Sequence, residues 1–157
     1  MGVAGAAAGV GRFAMSVAYL HLPEGRKPPE REGGAPFKAI IVADQSVDAD
    51  WRALVTGWLV RSGCLYALAW GTDCEIWHDD VDEALLEAFD FNDIPEDRDV
   101  MTTWHSDEPL SETFWFAGFC ALHPTVELDQ TLIVHIAPEE REAEMRRAYA
   151  EVQVSEA

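Results

Sequence analysis

From residue 37 onward the chain alternates between short, almost wholly apolar runs and longer stretches with apolar residues every three or four positions. Phe37–Ala43, Leu65–Trp70, Val100–Trp104 and Thr131–Ile136 are the short runs, and each is bounded by Pro, Gly or Asp. Nearly continuous apolar character in a segment this short predicts a strand buried on both faces. Between these runs the period changes. Trp51, Leu54, Val55, Trp58 and Leu59 fall at i, i+3, i+4, i+7 and i+8, with Asp48 placed to cap the helix and Gly63 to end it. A second helix is expected after the capping-box pair Asp80 and Glu83, with Val81, Ala84, Leu85 and Ala88 on one side. Pro109 opens a third, lined by Leu110, Phe114, Ala117 and Ala121, and Pro124 closes it. Pro138-Glu-Glu opens a fourth, whose inward face is Met145, Ala148, Tyr149 and Val152.

Strands buried on both faces and alternating with helices predict an α/β three-layer sandwich. Its four-stranded sheet is mainly parallel, in a flavodoxin-like or Rossmann-like order, with the flavodoxin-like order as the default. Val17–Leu22 is a candidate extra edge strand. Residues 1–14 read as a disordered tail, or as lying ahead of a start at Met15. Residues 15–36 hold the edge strand and a Pro/Gly linker expected to add nothing to the core. Residues 37–157 form a single α/β domain.

Charge narrows the partners. The formal charge is −18, and between Asp73 and Glu112 fifteen acidic residues accompany one base, Arg98. Such a field repels phosphate backbones and anionic membranes, so neither nucleic acid nor a membrane is expected as partner. A basic protein partner would be attracted by it. No apolar run approaches the ~20 residues of a membrane span. Cys64, Cys74 and Cys120 are odd in number and lack CxxC spacing, which fits a reducing, cytoplasmic setting better than a disulfide framework. The sequence leaves the oligomeric state open.

In a parallel sheet the ligand crevice lies beyond the carboxyl ends of the strands. Trp70, Asp73, Trp77, His78, Trp104, His105, Asp107 and Glu108 gather there and are the candidate binding residues. The three tryptophans among them either line a pocket or roof the sheet, whereas Trp51, Trp58 and Trp115 belong to the core. The turn 43–50 has no glycine to cradle a phosphate, so no nucleotide cofactor is expected. His105 with Asp44 and Asp107 is a candidate catalytic set, and His78 with Cys74 a candidate metal pair without a standard zinc signature. No cofactor is assigned. His135, inside an apolar run, reads as a hydrogen-bonded core histidine.

The phrases Ala35-Pro-Phe-Lys-Ala-Ile-Ile-Val42, Ser62-Gly-Cys-Leu-Tyr-Ala-Leu-Ala-Trp-Gly71, Leu86-Glu-Ala-Phe-Asp-Phe91 and Val100-Met-Thr-Thr-Trp-His-Ser-Asp-Glu-Pro-Leu110 carry a resemblance. Over about residues 16–145 the chain resembles a family of small bacterial proteins classed as a domain of unknown function. That resemblance implies a bacterial origin and a single α/β domain, and it brings no activity or site residue. The residues themselves favour a non-enzymatic binding or protein-interaction module. The alternative is a small, metal-assisted hydrolase with its site at the strand ends.

Overall fold

The computed structural model describes residues 16–31 and 34–154. The expectation for residues 1–14 lies outside them. Five strands, β1 (Ser16–His21), β2 (Phe37–Ala43), β3 (Cys64–Gly71), β4 (Met101–His105) and β5 (Gln130–Ile136), form one sheet. All four neighbouring pairs run parallel. Four helices connect or follow them: α1 (Ala49–Arg61), α2 (Cys74–Ala88), α3 (Leu110–Phe119) and α4 (Glu142–Val154). Every residue of β2 is buried, as its unbroken apolar run requires.

The strand order is β1-β5-β2-β3-β4. Counted from Phe37 and read from the β4 edge, this is the Rossmann-like 3-2-1-4 order, which replaces the flavodoxin-like default. The short runs fix that strands exist and are parallel. They do not say on which side of β2 the last one lands. Here α1 and α2 carry the chain from β2 to β4 in one direction, and α3 returns it to β5 on the other flank of β2. The helices then separate by face, α1 packing on α2 and α3 on α4.

Local chemistry explains several element ends. Asp48 accepts a hydrogen bond from the Trp51 amide at 3.1 Å and caps α1 as expected. Helix α2 begins at Cys74, earlier than the Asp80–Glu83 pair suggested, because Asp73 in the left-handed conformation (φ 58°) turns the chain directly off β3. Helix α4 likewise starts later, at Glu142. Gly71 has φ +99°, and a Cβ there would collide with the Ala43 carbonyl. Only glycine lets the tips of β2 and β3 approach this closely.

Lys38 is the one charged residue within β2. Its ammonium donates to the carbonyls of Ala117 at 2.7 Å and Ala121 at 3.1 Å, at the C-terminal end of α3. The Ala117 carbonyl lies in the last turn of α3, at the negative end of its dipole, and the Ala121 carbonyl lies just past it, so a buried cation is stabilised there. Burial still pulls its pKa below the ordinary lysine value.

The Pro/Gly segment contributes more than its composition suggested. Pro28 is buried. The indoles of Trp51 and Trp58 donate to the carbonyls of Arg26 (2.9 Å) and Pro29 (2.6 Å), which ties the segment across α1. Tryptophan needs an acceptor for its N–H when buried, and a segment without its own ladder has carbonyls to give.

Candidate functional site

Residues paired across parallel strands share a face of the sheet. His21, His135, Val42, Trp70 and His105 are partners in register across β1, β5, β2, β3 and β4. They form one row near the carboxyl tips, on the face covered by α3 and α4. Two histidines of this row, three strand spacings apart (~14 Å), each take a hydroxyl on one nitrogen and a carboxylate on the other.

The first lies at the topological switch point, where the chain leaves β2 and β5 toward opposite faces. His135 is 0% exposed. Its Nε2 is 2.7 Å from Asp44 Oδ2, and its Nδ1 is 2.7 Å from the Tyr19 hydroxyl. A carboxylate only accepts, so Nε2 carries the proton and Nδ1 accepts from Tyr19. The Tyr19 oxygen in turn accepts the Arg141 amide at 3.0 Å, and the Arg141 guanidinium lies 2.5 Å from Asp44. Each charge here has its opposite. Desolvation pushes the Tyr19 pKa above the usual phenol value.

The second lies at the β4 edge. His105 Nδ1 is 3.2 Å from Glu108 Oε2, and Nε2 is 2.9 Å from the Thr103 hydroxyl. Thr113 donates to the same Glu108 oxygen at 2.9 Å, and Trp70 donates its indole N–H to the Glu108 carbonyl at 2.8 Å. The His105 ring meets the Phe116 ring edge-on, with centroids 5.0 Å apart. This cluster borders a cleft of about 530 Å³ lined by His105, Glu108, Ser111, Glu112, Trp115 and Phe116, with Val152 of α4. No lysine or arginine among the described residues lines it. The Trp115 indole nitrogen is buried and has no hydrogen-bond partner among the described residues.

The expected site residues therefore divide. Trp70, His105 and Glu108 come together at the cleft. His78 and Trp104 meet on the opposite face of the sheet, ring centroids 4.6 Å apart. There His78 Nδ1 lies 2.9 Å from Asp79, and Asp82 accepts from Thr102. Trp104 stays 44% exposed, whereas Trp77 is buried to 1% and belongs to the core, so it offers no contact surface. Asp73 accepts from Ser46 at 2.8 Å. Asp107 is exposed, with φ 62°. The set His105, Asp44 and Asp107 is not assembled: β4 lies two strand spacings (~10 Å) from β2, Asp44 pairs with His135, and His105 takes Glu108 instead.

Cys74 is buried at the start of α2, and its burial pushes the thiol pKa up. No group of three or more His, Cys, Asp or Glu among the described residues is arranged to hold a metal ion. Tyr19 and Arg141 escaped the sequence reading, since neither belongs to a motif and both reach His135 only through the fold. Trp115, expected in the core, instead forms part of the cleft wall.

The fold and its switch point define a doubly wound α/β domain. The chain belongs to the DUF7684 family, a domain of unknown function, whose model matches residues 17–152. No curated protein and no solved structure matches it. No helix among the described residues is long and apolar enough to cross a membrane.

Proposed function

We propose that this domain is a non-enzymatic binding module and that its partner is a basic protein. The observation that carries this reading is the cleft at the tip of β4. It sets the carboxylates of Glu108 and Glu112 beside the rings of Trp115 and Phe116, with no cation among its lining residues. Carboxylates next to aromatic faces favour an ammonium or guanidinium group, which gains Coulomb attraction and cation–π contact together. A lysine or arginine within a polypeptide supplies such a group. The surrounding excess of acid would speed the encounter.

The test titrates the protein with two short peptides of equal length, one carrying lysine and arginine and one carrying glutamate, following tryptophan fluorescence at low salt. The cationic peptide is expected to bind and the acidic one not. Binding should weaken steeply as salt approaches ~1 M, where the screening length falls to about 3 Å. Glu112→Gln should weaken it severalfold without unfolding the protein. Equal binding of both peptides, or of neither, would overturn the reading.

A further inference from the structure

The two edges of the sheet are unlike. At the β1 edge, Arg146 of α4 donates to the Val17 carbonyl at 2.8 Å, which places a cation against that strand. Among the described residues the β4 edge has no strand beyond it. Its sequence, Met-Thr-Thr-Trp-His, contains no charge and no proline, and none of its five residues is buried. Natural sheets commonly protect an open edge with lysine, proline, a bulge or a cover, because free N–H and C=O groups recruit another strand. The β3–β4 pairing runs without a bulge from Tyr66↔Met101 to Trp70↔His105. An uncharged, β-prone and regular edge is a template for pairing.

We propose that β4 accepts an extended segment of the basic partner as a sixth strand, an inference that rests on the reading above. The charges around β4 specify the segment. Glu96, Asp97 and Asp99, with Arg98 among them, precede the strand and leave an acidic excess, and Asp107, Glu108 and Glu112 follow it. Five residues of strand span about 16 Å, so a fitting segment has an uncharged, β-branched centre and basic residues at both ends. Trp104 offers an exposed ring to the central side chains, on the face that also carries Asp79 and Asp82 of α2. A second copy of this chain is disfavoured as occupant, because it would bring another −18 charges to the same edge.

The experiment measures amide hydrogen exchange by NMR in the full chain, with a peptide of lysine- and arginine-flanked Val-Thr-Val as the probe. Strand addition protects alternate amides within Met101–His105, those pointing away from β3, by about tenfold or more. Two N-methylated forms of the peptide, blocked on one edge or the other, should then differ, one losing this protection and one keeping it. Trp104→Lys, a charge added at an exposed position, should abolish it while the spectrum stays folded. If the peptide binds and no β4 amide slows, strand addition is wrong and the basic-partner reading survives. Should no cationic peptide bind at all, that reading fails and this one with it. Protection that grows with protein concentration alone would assign the edge to a second copy and also overturn the proposal.

Discussion

Two histidines in one row of the sheet have nearly the same first neighbours and opposite surroundings. Tyr19–His135–Asp44 and Thr103–His105–Glu108 are both hydroxyl–imidazole–carboxylate chains. At the switch point the carboxylate is matched by Arg141, and the phenol oxygen holds the Arg141 backbone. At the β4 edge no lysine or arginine of the described residues lies among the cleft lining, and Glu112 adds a second carboxylate beside Glu108. One chain is closed on itself and ties α4 to the sheet. The other leaves attraction for something outside the molecule. On the proposed reading, position at a switch point is not sufficient for a binding role; what matters is whether the local charges already have partners.

The contrast predicts unequal consequences of disruption. His135→Leu should cost most, roughly 2–4 kcal/mol in urea unfolding, because His135 is fully buried and its loss removes two hydrogen bonds and leaves the Tyr19 hydroxyl without its acceptor. His105→Leu should cost about 1–2 kcal/mol, since Glu108 keeps Thr113 and reaches water. Equal losses would erase the distinction between the closed and open chains. Arg141→Met should cost no more than about 1 kcal/mol, because the guanidinium is 43% exposed and its ion pair is screened. That variant leaves Asp44 unmatched, so it also asks whether an acidic crevice created at the switch point attracts the cationic peptide.

The phenol supplies a pH test. Tyr19 has a raised folded pKa, so the native state keeps a proton that the unfolded chain releases above pH ~10. Its contribution is fully present below that value and is lost as pH rises from there toward the folded pKa. Tyr66 and Tyr149 are raised in the same direction by burial. Unfolding midpoints measured at intervals from pH 9 upward should therefore fall, and Tyr19→Phe should make the fall shallower. An unchanged slope would mean that Tyr19 is not held as the closed chain requires. The smallest effect belongs to Glu112→Gln, within about 0.5 kcal/mol of the parent, since it removes only an exposed charge from the first turn of α3.

The thiols report on packing independently. Cys64 is buried, and desolvation pushes its pKa up to about 12, whereas Cys120 is exposed. At pH 8 a thiol reagent should modify Cys120 promptly and reach Cys64 only on unfolding.

Much of the architecture was legible because it is written locally. The apolar runs at 37–43 and 131–136, the helical stripe of Trp51, Val55, Trp58 and Leu59 (though not Leu54, which is exposed), the Asp48 cap and the stop at Gly63 each depend on residues within a few positions. Charge segregation is equally a property of the text, and it alone pointed to a basic partner. Tertiary structure decided the rest. Side-chain periodicity is identical whether β5 lands beside β2 or beyond β4, so the strand order could not be read. That order separates His105 from Asp44, and it brings Tyr19 to His135 across 116 positions of sequence. The same arrangement buries Trp77, opens Trp104 and makes β4 an edge. Hydrogen-bond partners this far apart are chosen by the three-dimensional packing of layers, which no local pattern encodes.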